Sequence, residues 1–211
     1  TSIVDKPPLV AIYMVTYNHE KFIDQAIQSV VQQKTSFQYR LFIGEDCSSD
    51  STRAKCEEWQ RQYPNKITLL ESKTNLGINA NATRVFLECV HSGAEYIALL
   101  EGDDFWTAEN KLEKQVQLLK DNPTASGSYH NSYIEKKNGE ISVLYKKLPP
   151  SLTQEMAISK YAPFHTSSFI FRSRYYCRPD WLKNIDSVDL AMYAITAQFG
   201  PLIGINECMS H

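Results

Sequence analysis

Two hydrophobic rhythms alternate along this chain. Leu9-Val-Ala-Ile-Tyr-Met-Val15 is apolar nearly throughout, as a strand buried on both faces should be. Asn18 follows as a candidate helix cap. Phe22, Ile23, Ala26, Ile27, Val30 and Val31 then recur at the 3.6-residue spacing of an amphipathic helix. Tyr39–Gly44 predicts a second strand. The polar run Glu45-Asp-Cys-Ser-Ser-Asp-Ser51 leads from it into a helix carrying Cys56, Trp59 and Tyr63, with Ser49 or Asp50 placed to cap it and Pro64-Asn65 to end it. Ile67–Leu70 predicts a third strand and Asn75-Leu-Gly77 a turn. A helix follows with Ala82, Val85, Phe86, Cys89 and Val90, stopped at Gly93. Tyr96–Leu100 is a fourth strand that ends on Glu101-Gly-Asp-Asp104. Lys111–Leu119 reads as helix, closed by Asn122-Pro123.

Beyond this point the rhythm changes. Ser128–Ile134 and Ile141–Lys146 flank Asn138-Gly139, a hairpin signal. Thr166–Arg172 predicts another strand, Asp189–Phe199 a helix stopped by Gly200-Pro201, and Leu202–Ile205 a last strand. The expectation is one α/β domain over 1–211. Its first half, about 9–122, is a mostly parallel sheet flanked by helices, and about 123–211 is a smaller mixed part. The chain stops at Met209-Ser-His211 without a closing helix, which fits a C-terminus cut short. In parallel sheets ligands bind beyond the carboxyl ends of the strands. The polar clusters at 16–18, 45–50 and 101–104 all fall there.

Composition narrows the classes. The net charge of −2 offers no basic excess for nucleic acid. The apolar runs fall far short of the roughly 20 residues that span a bilayer. Thr1–Pro8 lacks the basic-then-apolar order of a signal peptide. The five cysteines are odd in number and form no CxxC pair, which favours free packed thiols in a reducing compartment over disulfides or a structural zinc.

Chemistry concentrates at the strand ends. Glu101, Asp103 and Asp104 crowd three like charges into four residues, a costly arrangement that a bound divalent cation relieves. Gly102 lets the backbone turn tightly and a ligand approach. The alternative is an acidic loop that caps the next helix, with Asp104 near its start. Asp46, Ser48, Asp50, Thr52 and Glu57 mimic calcium-loop spacing, but Ser51 stands where that loop needs Gly, and a strand precedes it. Asp46 is instead a candidate acceptor for a base N–H or a ribose hydroxyl. Tyr17 can stack on a planar ring. No GxxxxGK[ST] or GxGxxG occurs, so kinase, P-loop and dinucleotide-binding readings lose their main signals.

Four segments in order, Val10–Gln33, Glu45–Thr52, Asn75–Ala82 and Leu99–Trp106, resemble glycosyltransferase family 2, of GT-A fold. The resemblance implies that Thr16, Tyr17 and Asn18 line a nucleotide pocket. Glu45 and Asp46 match the acids that bind uracil or ribose, Asp46 the better placed, and Asn75 and Gly77 match the family's Asn-x-Gly turn. Glu101-Gly102-Asp103 matches the DxD motif that holds metal and sugar diphosphate, with Glu in the first place. Asp103 keeps the metal role and Asp104 shares it, with Mn²⁺ or Mg²⁺ as cofactor. His165–Arg172 resembles the acceptor-side strand. Ser187-Val-Asp-Leu190 names Asp189 as general base, although Val188 leaves the usual acid–Asp pair incomplete. His165 itself reads more simply as an ordinary packed or exposed histidine.

The implied reaction is inverting transfer from a nucleoside-diphosphate sugar, by default a UDP-sugar, to a hydroxyl of a glycan or lipid-linked acceptor. Its natural context is bacterial surface polysaccharide assembly, in the cytoplasm at the inner face of the membrane. Two other readings compete. One is a sugar-1-phosphate nucleotidyltransferase, disfavoured because Thr16–Glu20 is neither Gly-rich nor basic. The other is a truncated or non-catalytic nucleotide-sugar-binding domain.

Overall fold

The computed structural model describes residues 7–136, 138–158, 164–176, 179 and 188–211, without the side chains of 188 and 189. The elements run β1 Val10–Thr16, α1 Ile23–Val31, β2 Tyr39–Glu45, α2 Thr52–Gln62, β3 Ile67–Glu71, α3 Ile78–His91, β4 Tyr96–Leu99 and α4 Lys111–Asp121. Then follow β5 Gly127–Glu135, β6 Ile141–Val143, β7 Ser151–Leu152, α5 Gln154–Ala157, β8 Ile170–Arg172, α6 Val188–Ala197 and β9 Leu202–Ser210.

One sheet carries the order β3-β2-β1-β4-β8-β5-β9-β7, with β6 paired only to β5. β3, β2, β1 and β4 are parallel neighbours. β8 enters antiparallel between β4 and β5, so β5 again points the way of β4. β9 lies parallel to β5. The carboxyl ends of β1, β2, β4, β5 and β9 therefore share one edge. β1 is buried throughout, as its unbroken apolar run requires. Val10, Ile12 and Met14 pack with α1, α2 and α4 on one face, and Ala11, Tyr13 and Val15 with α3 and α6 on the other.

Several local expectations are corrected. Asn18 does not cap α1: its φ of 55° and its bond to the 48–49 loop take it elsewhere. The amides of Phe22 and Ile23 instead bond His19 O, one turn before the helix begins. Thr166–Ser168 is a 3₁₀ turn, and the strand starts only at Ile170. There the His165 ring accepts from the Ser167 amide, a local bond that competes with extended backbone. β9 runs five residues past the predicted end, because β5 offers it a parallel partner through a shifted register. The two-residue β7 and four-residue α5 are too short to leave a periodic signal.

The face of the sheet covered by α4 also holds buried polar groups. Lys111 is fully buried with its amine 4.0 Å from the centre of the Trp106 ring. Arg172 donates to Ala125 O at 2.9 Å and Leu119 O at 2.7 Å, tying β8 to the end of α4. His130 is fully buried, and its Nδ1 lies 2.7 Å from Asn131 O, so that nitrogen carries the proton. Burial, with Lys111 nearby, pushes its pKa well below the usual 6.5. The folded chain thus keeps His130 neutral while the unfolded chain protonates it below about pH 6.5, so its effect on stability is a loss as pH falls through that value. In urea titrations, the wild type is expected to lose up to about 1.4 kcal/mol more per pH unit below pH 6.5 than His130→Gln. Parallel pH profiles would contradict this.

Candidate functional site

Two loops leave the sheet beside each other, after β1 and after β2, and they are laced together. Asp46 N donates to Thr16 O at 3.2 Å, Asn18 N to Ser48 Oγ at 3.0 Å and Ser49 N to Asn18 Oδ1 at 2.9 Å. Glu20 N donates to Asp50 Oδ2 and Ser51 N to Glu20 Oε2, both at 3.1 Å. Each loop satisfies the other's backbone, so neither needs regular structure. Asp50 Oδ1 also accepts the Thr52 amide at 2.9 Å, a local turn just ahead of α2, whose cap position is Ser51 and not the expected Ser49 or Asp50.

The acids of the 45–46 pair have different surroundings. Glu45 is fully buried; Arg53 Nε donates to it at 2.6 Å and Ser48 N at 2.6 Å. Arg84 bonds its carbonyl and so links β2 to α3. Asp46 instead reaches the next loop, accepting from Leu76 N at 2.8 Å and Gly77 N at 2.9 Å. Asn75 Oδ1 also accepts from Gly77 N, and Gly77 takes a φ of 81° that favours glycine. A cavity of about 340 Å³ opens here, lined by Thr16, Tyr17, His19, Asp46, Asn75 and Gly77 among others. Tyr17 is largely exposed at its rim.

The acidic loop lies alongside. β4's path continues past its end through Leu100 N to Tyr13 O and Gly102 N to Val15 O, both 3.0 Å. A Cβ on Gly102 would stand 2.7 Å from Thr16 Oγ1 and 2.9 Å from His19 Nδ1. Glycine is therefore required for the acids to sit this close to the end of β1. Oxygens of Glu101, Asp103 and Asp104 lie within 4.8 Å of one another. Asp104 Oδ2 is buried and accepts no hydrogen bond among the described residues. Burial, reinforced by the Asp103 charge, pushes its pKa up to about 7. α4 starts only at Lys111, well past Asp104, so Asp104 is not its cap. A crowded carboxylate trio with one orphaned oxygen has the donor set and the electrostatic need for a hard divalent cation.

Three histidines surround this loop; no sequence signal marked His19 or His211, and His165 read as an ordinary packed or exposed residue. His19 Nε2 lies 4.0 Å from Asp103 Oδ2, and His165 Nδ1 lies 3.6 Å from Asp104 Oδ2. His165 is also 2.8 Å from Ser167 Oγ, which continues to Ser210 Oγ and Ser132 Oγ in 2.9 Å steps. The simpler view of His165 as an ordinary packed residue gives way to one beside the acids. His211 pairs by backbone with Phe105 in both directions, and its buried Nε2 has no partner among the described residues. His19 comes from the loop after β1, whereas only the placement of β8 and β9 brings His165 and His211 here, and no local spacing announces it. Asp189 stands on the first turn of α6, and its side chain lies outside the described residues.

The Glu45–Arg53 pair is the buried electrostatic anchor of the β2 loop. Arg53→Met strands the Glu45 charge and is expected to cost about 3 kcal/mol of stability, read from urea unfolding near pH 7. A loss under about 1 kcal/mol would show the pair to be as dispensable as a surface ion pair.

Comparison with known proteins agrees with this geometry. The family model "Glycosyl transferase family 2" matches residues 11–181. A UDP-Glc:alpha-D-GlcNAc-diphosphoundecaprenol beta-1,3-glucosyltransferase of Escherichia coli is 34% identical over 66% of this chain and 54% of its own length. Staphylococcus aureus TarS, solved in complex with UDP, superposes with a TM-score of 0.71 at 16% identity, over 95% of this chain and 59% of that one. A Pyrobaculum calidifontis mannosyltransferase, solved with GDP-Man and Mn²⁺, gives a TM-score of 0.66 at 18% identity, over 97% and 56%. The chain spans little more than half the length of the first curated relatives it matches. With a GT-A sheet, an acidic loop at its functional edge and a family match over most of its length, the chain belongs to glycosyl transferase family 2.

Proposed function

We propose that this chain binds a nucleoside-diphosphate sugar, by preference a UDP-sugar, and transfers the sugar with inversion to a hydroxyl of a glycan or lipid-linked acceptor. The observation that carries this reading is the convergence of three strand-end clusters on one edge. A small cavity between the β1 and β2 exits, with a few polar groups on a mostly apolar lining, opens directly beside three crowded carboxylates. The cavity suits a base and ribose: Tyr17 offers a ring face, and Thr16, Asp46, Asn75 and Gly77 line its wall, while Asn18 is engaged with the 48–49 loop and is not part of the lining. Glu45 supports that wall from within, because both of its oxygens are engaged by Arg53 and Ser48.

Asp103 and Asp104 would hold Mn²⁺ or Mg²⁺, with Glu101 beside them, and the cation would supply positive charge against the diphosphate leaving group. Gly102 lets these acids sit against the end of β1, beside the cavity. Asp189 accepts the proton of the attacking hydroxyl, which makes the oxygen nucleophilic as the anomeric bond breaks. One base on the face opposite the leaving group gives single displacement and inversion. The support for Asp189 is its match to the family's base position.

The context is assembly of a cell-surface polysaccharide, as in the relative whose name specifies a lipid-diphosphate acceptor. None of the described helices is long and apolar enough to cross a membrane. The reading places work on such an acceptor at the membrane's cytoplasmic face, as the family resemblance implies.

The test is transfer by the full-length protein from a panel of nucleotide sugars to lipid-linked acceptors, with the anomeric configuration of the product read by NMR. Inverted product is expected. Asp189→Asn should lower kcat about 100-fold or more and leave the donor KM little changed. Donor binding without transfer to any acceptor would leave a nucleotide-sugar-binding module. Wild-type turnover by Asp189→Asn would remove it as the base.

A further inference from the structure

β5 is longer than the sheet needs. Residues 127–132 pair within the main sheet, but Tyr133–Glu135 pair only with Ile141–Val143 of β6. The result is a two-stranded ribbon that leaves the sheet. Because β5 runs parallel to β1 and β4, the ribbon leaves by the edge that carries the cavity and the acidic loop. Ser132, its base, is hydrogen-bonded to Ser210, and Ser210 bridges to Trp106 of the acidic loop. From that base β5 continues through Glu135, about 10 Å of extended chain, before the turn that carries Asn138-Gly139.

The ribbon's composition is unlike that of a solvated hairpin. Tyr133 stands opposite Val143, and Glu135 opposite Ile141, so these four share one face. Three of them are apolar and open to solvent: Tyr133 is 36% exposed, Val143 45% and Ile141 60%. Exposed Ile and Val on an isolated two-stranded ribbon contribute nothing to folding and invite aggregation. Lysines flank this face. Lys136 is exposed and paired with Glu140, and Lys146 and Lys147 are exposed just after β6. Residues 133–147 hold four lysines and two glutamates, so the segment is +2 in a chain whose net charge is −2. An exposed apolar face on a segment of net positive charge has the chemistry of an interfacial anchor: side chains enter the acyl boundary while the ammonium groups of Lys146 and Lys147, near the ribbon's base and without an ion pair among the described residues, meet anionic headgroups.

We propose that the β5–β6 ribbon docks on an anionic phospholipid surface and so holds the acidic loop and cavity toward the bilayer. That this brings a lipid-linked acceptor to the reaction centre rests on the function proposed above. The docking itself rests on the ribbon alone.

The test is co-sedimentation of the full chain with vesicles of phosphatidylcholine, with and without phosphatidylglycerol. The wild type is expected to sediment with the anionic vesicles only, less so as salt rises. Ile141→Ser with Val143→Ser, and separately Lys146→Glu with Lys147→Glu, should each lower the partition coefficient about tenfold or more. UDP affinity, measured on the same samples, should stay at the wild-type value and shows that the variants are folded. Absence of wild-type sedimentation with anionic vesicles overturns the proposal, and so does equal sedimentation by both variants. A concentration-dependent dimer that the Ile141/Val143 variant dissociates, without vesicle binding, would assign the ribbon to self-association and overturns it too. Vesicle binding by a chain that fails to bind any nucleotide would instead contradict the donor-site reading and leave the ribbon's role intact.

Discussion

The repulsion among Glu101, Asp103 and Asp104 is the constraint around which this edge of the molecule is organised. Three carboxylates within 4.8 Å of one another are stable only if they stay partly protonated, face cations or share one. Burial makes the problem worse at Asp104, whose pKa rises to about 7. The fold does not disperse these charges. It presses them against the end of β1 by a contact that only a glycine at 102 permits. Histidines 19 and 165 stand beside them from two different elements. Local strain of this kind, held by the surroundings rather than relieved, is typical of a site prepared for a charged ligand.

The framework that holds the strain is polar as well as apolar. The β1 and β2 loops are joined by reciprocal backbone bonds, Asp46 pins the 75–77 turn, and Glu45 with Arg53 and Arg84 fastens β2 to both neighbouring helices. On the other flank, Ser132, Ser167 and Ser210 tie β5, the 3₁₀ turn and β9 into one hydroxyl chain that ends at His165. The donor-side cavity and the acidic loop are thereby braced from both halves of the sheet. A nucleotide entering this edge would meet positions already set, which reduces the ordering cost of binding.

The sequence made the first half of the fold legible because each strand there is a continuous apolar run and each helix has a clear stripe. The placement of polar clusters at 16–18, 45–46 and 101–104 followed from strand direction alone. Local signals failed where partners are distant. His165 reaches Asp104 only because β8 inserts antiparallel beside β4, a pairing that nothing in residues 164–172 encodes. The full extent of β9 depends on β5 in the same way. Asn18 was misread as a cap because a polar residue before a helix is also what a loop clasp requires. Family resemblance supplied the role of Asp189, on which local chemistry is silent beyond its place at a helix start.

The central claim is that the acidic loop holds a divalent cation jointly with a nucleoside diphosphate. Its most direct test is an EPR titration of Mn²⁺ into the chain with and without UDP. Linkage requires that if the two share a site, UDP raises Mn²⁺ affinity and Mn²⁺ raises UDP affinity by the same factor. The account predicts this mutual gain, and its disappearance in Asp103→Ala with the fold intact. Mn²⁺ affinity unchanged by UDP, or a gain that survives Asp103→Ala, would contradict it.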